Sequence, residues 1–239
     1  MMRPIGFSTG ALAKGDFHSA ILRLRELRIP VIELSALRFD ELDGLVTALP
    51  ALDLSGFEFV SFHAPSDFHP EAEQYVIDRL RRVAETGIPV VVHPDVIVVR
   101  QAWRDLGSML LIENMDKRKP IGRYSGDLVH LFEQFPDAGL CFDLGHVRQV
   151  DPSMTEAHLV LERVGDRLRE IHLSEVNTSS RHDPLSIYAI SAFQSISHLI
   201  PETVPVVLEM LIDRGQSDIL TEIDRAERAL NPALLHAVG

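Results

Sequence analysis

The sequence predicts one parallel α/β barrel of eight strands, a (β/α)8 TIM barrel spanning residues 1–239, on three observations. Short apolar runs alternate regularly with segments of helical spacing. There are eight such runs, the number at which a parallel sheet closes. The residues that end most of them are histidines and acids, which would then share one rim of one sheet. A length of 239 residues suits a single domain, because barrels of this type run from about 200 to more than 400 residues.

The strands are expected to begin near Ile5, Val31, Glu58, Pro89, Met109, Gly139, Leu168 and Val204, in runs that are mostly short and β-branched or aromatic. The run PVVVHPDVIVV is apolar almost throughout, as a strand covered on both faces should be. Between the strands, apolar residues recur three and four apart: Phe17, Ile21, Leu24 and Leu27; Leu128, Leu131, Phe132 and Phe135; Ile219, Ile223, Ala226 and Leu230. Asp16 is placed to cap the first of these helices and Ser217 the last. A doubly wound open sheet would normally carry a Gly-rich phosphate turn, and neither GxGxxG nor GxxxxGK[ST] occurs. Longer excursions are expected after His63 (64–70), after Glu113 (114–126) and after His172 (174–184).

Composition narrows the function classes. Hydrophobic residues make up 46% and charged residues 24%, ordinary for a globular domain, and no apolar stretch has the length of about 18 residues that a membrane span needs. The N-terminal MMRPIGFSTG has no apolar core of a secretion signal, and Cys141 as the only cysteine excludes an internal disulfide, so a cytoplasmic location is expected. A net charge of −12 argues against DNA and anionic membranes, because the long-range field repels phosphates. A small-molecule substrate is the expected partner; oligomeric state is not legible.

The chemistry is concentrated where strands stop: FEFVSFHAPS ends on His63, IPVVVHPD on His93, SMLLIENMD on Glu113, GLCFDLGH on Asp143 and His146, LREIHLSE on His172, and PVVLEM on Glu209. In a closed parallel barrel that rim is where active sites form. Glu113, Asp143, His172 and Glu209 make a mixed oxygen and nitrogen set suited to Zn²⁺, Mn²⁺, Fe²⁺ or Co²⁺ better than to an all-oxygen Ca²⁺ or Mg²⁺ site. The plain alternative is four hydrogen-bonded strand-end residues, which is disfavoured because acids crowded on one rim repel without a cation. His63 and His93 can add a second centre bridged by Glu113, or act as neutral substrate-binding imidazoles. His146, in the turn after Asp143, and His182, in the loop after the seventh strand, can hold a third metal or contact substrate. One to three metals per chain are therefore expected.

This succession of HAP, HP, EN, DLGH, HLSE and VLEM resembles the xylose-isomerase-like barrel superfamily, which holds sugar isomerases and epimerases and the metal-dependent apurinic endonucleases. The resemblance extends from Ile5 to Met210. It implies a metal shared by Glu113, Asp143, His172 and Glu209; in the endonuclease branch, a further zinc on His63 and His93 and a third metal involving His146 and His182. The chain departs from that branch at Ser180, where an aspartate would stand two residues before His182, with Asp183 the only nearby substitute. The isomerase branch often has an arginine in this loop, a role open to Arg181.

Weaker signals complete the picture. Glu33, at the end of the second strand, can bind substrate, orient a ligand, or be a buried structural acid. Glu170 should share a face with His172, two residues on. Glu175 is either a general acid or base or a solvated loop acid, Cys141 is a core residue beneath Asp143, and Trp103 packs a helix. Lys117 heads KRKPIGR, an anion-binding loop or a solvated charge run. His18, His130, His158, His198 and His236 read as surface residues of helices or tails.

The reading that results is a metal-dependent isomerase or epimerase of a small sugar or polyhydroxy-carbonyl compound, with Glu113 and Glu209 as the proton-transfer pair. A di- or trinuclear hydrolase of phosphodiesters or phosphates is the second reading. A multinuclear iron enzyme and a non-catalytic metal-binding protein are the others.

Overall fold

A computed structural model describes residues 3–212 and 219–231. Eight parallel strands close into a barrel: β1 (Ile5–Ser8), β2 (Val31–Ser35), β3 (Phe59–His63), β4 (Val90–Val92), β5 (Leu110–Glu113), β6 (Gly139–Asp143), β7 (Leu168–Leu173) and β10 (Val206–Leu208). Each pairs with its sequence neighbour, and β10 joins β7 to β1. Around them run α1 (Thr9–Ala13), α2 (Phe17–Glu26), α3 (Phe39–Ala48), α4 (Glu73–Ala84), α5 (Arg100–Arg104), α6 (Ser125–Gln134), α7 (Leu144–Val150), α8 (Thr155–Val164), α9 (Ile187–Gln194) and α10 (Ile219–Leu230). The expected strand starts lie within two residues of those observed. Three features were not anticipated: the short α1, the two-stranded antiparallel ribbon of β8 (Glu175–Val176) and β9 (His182–Asp183), and α7, in whose first turn His146 sits. Asp16 does cap α2, accepting from Ser19 N at 3.1 Å, whereas Ser217 lies outside the described residues.

The outward residues of the strands and the inner faces of the helices form one large apolar core, while Val91, Leu111 and Cys141 form a separate small cluster inside the barrel. Because side chains alternate along a strand, these three mark the inward phase of β4, β5 and β6. Two residues further on, the same phase puts His93, Glu113 and Asp143 at the C-terminal rim. Ser8, Ser35, His63, His172 and Glu209 hold the matching positions on the other strands. Beneath them, the barrel floor carries Glu33, Ser61 and Glu170 beside Cys141, all buried. A bulge in the pairing of β6 with β7 matches Leu140 with Leu168 but Cys141 with Glu170, leaving Arg169 as the extra residue. The phase change lets Leu168 pack outward with the helices while Glu170 and His172 both turn inward.

Glu73, at the start of α4, shows how loop backbone is held. Its buried carboxylate accepts from Val98 N, Val99 N and the indole Nε1 of Trp103 at 2.6–3.0 Å, tying the segment before α5 to α4. Truncation would leave three donors to find new partners in a dry site, so Glu73→Ala is expected to destabilise the fold by about 3 kcal/mol or more. Trp103 is the only tryptophan, and denaturant unfolding followed by its emission checks this; a change under about 0.5 kcal/mol would refute it.

Candidate metal centre at the barrel rim

Glu113 is the hub of the rim. Its Oε2 stands 3.2 Å from Nε2 of both His63 and His93, while Oε1 stands 3.2 Å from His146 Nδ1 and 3.6 Å from His172 Nδ1. Two groups of residues that could each hold a metal ion therefore share it: His63, His93 and Glu113, and Glu113, Asp143, His172 and Glu209. Within each group the ligand atoms lie within 4.8 Å of one another.

Local structure explains the orientation of each side chain. His63 Nδ1 is 2.7 Å from Ala64 O, which can accept only from a protonated Nδ1, so Nε2, 3.2 Å from Glu113 Oε2, is the nitrogen that can ligate once its proton is lost. Asp143 caps α7 through Oδ1, accepting from His146 N at 2.7 Å, and its Oδ2, without a hydrogen bond among the described residues, stands 3.3 Å from His146 Nδ1. Asn114 was not singled out from the sequence, yet it clamps the ends of β5 and β6 together. Its Nδ2 donates to Asp143 O at 2.9 Å and its Oδ1 accepts from Asp143 N at 2.7 Å. Gly145 allows α7 to lie against the chain after β7, since a Cβ there would fall 2.7 Å from Ser174 O.

The donor set fits a divalent transition metal. Asp143 Oδ2, His172 Nδ1 and Glu209 Oε2 are buried and have no hydrogen-bond partner among the described residues. Buried orphans of this kind are rare and call for a partner, and two carboxylates with an imidazole are the ligand types that Zn²⁺, Mn²⁺, Fe²⁺ or Co²⁺ take.

Electrostatics point the same way. Burial alone would raise Glu113, but the surrounding His93, His146, His172 and His63 hold it well below the usual carboxylate range. Glu209 goes the other way: burial, reinforced by the charges of Asp143 and Glu113 against the pull of His172, pushes it up to about 8. Burial would lower His63 and His146, yet Glu33 and Glu113 raise the first to about 9, and Asp143 and Glu113 raise the second to about 10. Without a cation these groups carry protons at neutral pH, and ligation requires at least His63 and Glu209 to give theirs up. Zn²⁺ uptake at pH 7 is accordingly expected to release protons, and affinity to rise as pH increases from 6 to 8. Calorimetry in buffers of different ionisation enthalpy measures the release; a buffer-independent heat and a flat pH profile would contradict it.

Other predicted residues fall elsewhere. His146 and His182 have ring centroids 5.5 Å apart, but among the described residues they enter no three-residue ligand group. Ser180, at φ 55, accepts from Gln149 Nε2 at 2.8 Å and Asp183 accepts from Asn177 Nδ2 at 2.7 Å, so the acids nearest the pair are those of the rim: Glu113 and Asp143, 3.2 and 3.3 Å from His146 Nδ1, and Glu209, 3.4 Å from His182 Nδ1. Glu33 is not at the mouth: it is fully buried in the floor, with Oε2 3.1 Å from His172 Nε2. Glu170, also in the floor, is 3.5 Å from the same nitrogen. Glu175 is paired with Arg148 at 3.1 Å and accepts from Ser186 N, and does not line the rim cleft.

That cleft, of about 780 Å³, is lined by Glu113 and Glu209 together with Lys14, Arg118, Lys119 and Arg181. Lys117 is not part of its wall; its exposed side chain lies outside while its backbone N donates to Gln149. Lys14, which the sequence reading passed over, follows α1 and could have been flagged only by foreseeing that helix. Arg118 pairs with Asp116 at 2.6 Å and Lys119 with Asp95 at 2.7 Å. His18, His130, His158 and His198 are exposed, and His236 lies outside the described residues.

Comparison with solved structures gives the class of fold. Endonuclease IV from Thermus thermophilus superposes with a TM-score of 0.62 at 18% identity, covering 96% of this chain and 99% of that one. A xylose isomerase-like TIM barrel protein from Mycobacterium smegmatis, in complex with magnesium, gives 0.61 at 16%, covering 97% and 98%. A proposed sugar phosphate isomerase/epimerase from Anabaena variabilis gives 0.59 at 12% over the whole of both chains. No family model and no curated protein matches the sequence. The chain therefore has the fold of the xylose-isomerase-like TIM barrels. The likeness to an endonuclease gives no support to the exclusion of DNA that net charge led us to expect. Among the described residues no helix is long and apolar enough to cross a membrane.

Proposed function

We propose that this protein is a divalent-metal-dependent isomerase of a small polyhydroxy-carbonyl compound, with Glu113, Asp143, His172 and Glu209 around one ion and His63, His93 and Glu113 around another. The observation that carries the reading is Glu209. It lines the cleft and has an oxygen with no hydrogen-bond partner among the described residues, which puts a carboxylate able to take and return a proton beside the place of a bound substrate. When bound, the metal would hold adjacent substrate oxygens and acidify the C–H between them. Glu209 takes that proton from the hydroxyl-bearing carbon and returns it to the former carbonyl carbon on the same face. The hydroxyl proton crosses to the other oxygen, so the carbonyl moves by one carbon and atoms balance.

Glu113 is less suited to the role foreseen for it. Both its oxygens are surrounded by imidazoles, at 3.2–3.6 Å. A single carboxyl placed for proton transfer favours same-face isomerisation over epimerisation, which needs a second group on the opposite face. Four cations in the cleft wall, two of them paired with acids, favour a substrate with an acidic group. The test is exchange of substrate hydrogen with ²H₂O, using Mn²⁺- or Co²⁺-loaded protein and a panel of ketoses, keto acids and sugar phosphates. Exchange into at least one is expected, and none into any would defeat the proposal.

The sharing of Glu113 between two ligand groups favours a second reading, a dinuclear phosphodiester hydrolase. On that reading His63→Ala or His93→Ala abolishes cleavage of small phosphodiesters; intact cleavage in both variants eliminates it.

A further inference from the structure

We propose that Glu33 is a positioning residue that holds the His172 ring with Nδ1 turned up to the rim, and that Ser35 and Ser8 orient Glu33 for that task. The inference rests on the metal reading above and concerns what lies beneath it.

His172 is buried between two tiers of acids. Above, Nδ1 is 3.4 Å from Glu209 Oε1 and 3.6 Å from Glu113 Oε1; below, Nε2 is 3.1 Å from Glu33 Oε2 and 3.5 Å from Glu170 Oε1. A neutral imidazole carries one proton, and with acids on both sides its own structure does not decide which nitrogen keeps it. A metal at the rim would engage the upper acids and take the Nδ1 lone pair, which leaves the proton on Nε2 and a lower carboxylate as the acceptor that faces it.

Glu33 is the better placed of the two lower acids. It is nearer, and its Oε2 has no hydrogen-bond partner among the described residues, as His172 Nε2 has none, whereas Glu170 Oε1 already accepts from Ser61 Oγ at 2.8 Å. The other oxygen of Glu33 accepts from Ser35 Oγ at 3.1 Å, Ser35 Oγ is 2.6 Å from Ser8 Oγ, and Ser35 N donates to Thr9 Oγ1 at 2.8 Å. A hydrogen-bonded line thus runs from Ser8, in the wall of the cleft, through Ser35 to Glu33, whose other oxygen stands 3.1 Å from the underside of a candidate ligand. Strand alternation makes it possible, since IGFS and VIELS each place a serine at the rim position, and Glu33 lies two residues below Ser35. Glu33 is fully buried and has no place in the cleft wall, so it touches no substrate. A carboxyl sealed in a barrel floor is expensive unless paired, and His172 is the basic group it is nearest.

The test uses Zn²⁺ as the probe on full-length protein, with Glu33→Ala, Glu33→Gln and Ser35→Ala. Long-range ¹H–¹⁵N correlation spectra of histidine-labelled, Zn²⁺-loaded wild type should show His172 protonated on Nε2 and ligated through Nδ1. Chelator competition should show affinity at the Asp143-containing site falling about 10- to 100-fold in Glu33→Ala. Glu33→Gln, which still offers a carbonyl acceptor, should fall less, as should Ser35→Ala; the ion at His63 and His93 should be less affected in all three. A residue with only a structural role would lower melting temperature without this site preference or any change in tautomer. The inference is overturned by a proton on Nδ1 of His172, or by wild-type affinity in folded Glu33→Ala. Should that variant not fold, unchanged affinity in both milder ones overturns it. Wild type that takes up no Zn²⁺ removes the metal reading and this inference together, whereas failure of the variants alone leaves the metal reading standing.

Discussion

Glu209→Gln is expected to lose substrate hydrogen exchange by a factor of about 10²–10⁴. The amide keeps the shape of the carboxyl but can neither take nor return a proton. Because Glu209 also belongs to a ligand group, the comparison is made at saturating Mn²⁺ with metal content measured in each sample. Loss of exchange in a fully loaded variant assigns the proton transfer to Glu209. Exchange at wild-type rate in the same sample would remove the observation on which the isomerase reading stands, and would leave the hydrolase reading the stronger.

The second large effect is expected at Glu113. As the residue common to both ligand groups, its replacement by Ala should weaken both ions at once, whereas Asp143→Ala should weaken one and His93→Ala the other. If a binding free energy of about 10–16 kcal/mol is divided over four ligands, each contributes about 3 kcal/mol, roughly a hundredfold in affinity per ion. Titration with a competing chelator separates the patterns. A Glu113→Ala protein that retains one ion at wild-type affinity would show that the two groups do not share this carboxylate.

Most of the barrel was legible because two periodicities say where it is. Strand ends carry polar residues in an otherwise apolar run, and helices show spacing of three and four, so the strand starts and helices such as α2, α6 and α10 could be read directly. The rim residues were legible for the same reason, since His63, Glu113 and Asp143 end strands in the inward phase and His172 stands one residue before the end of β7. What lay beyond strand ends was not. The ribbon of β8 and β9 has strands of only two residues, too short for any periodicity, and around it Ser180 is engaged by Gln149 and Asp183 by Asn177. Lys117 was open to being part of an anion-binding loop or of a solvated charge run, and the choice is made by contacts such as Lys119 with Asp95, which sequence does not reveal. Of the roles open to Glu33, the structure leaves those of a buried acid, since the alternation in VIELS puts Ser35 at the rim and Glu33 below it. A serine drew no notice because it is a poor metal ligand. Asn114 escaped for a similar reason, since its reciprocal bonds to Asp143 depend on the pairing of β5 with β6.

The most direct test of the account is metal content together with thermal unfolding, on protein purified without chelator and then stripped and reloaded. The account predicts two transition-metal ions per chain. It also predicts a melting temperature that falls on chelation and recovers on adding Zn²⁺ or Mn²⁺, because ions that bind only the folded rim stabilise it by linkage. A metal-free protein whose unfolding is indifferent to Zn²⁺, Mn²⁺, Fe²⁺ and Co²⁺ would contradict it.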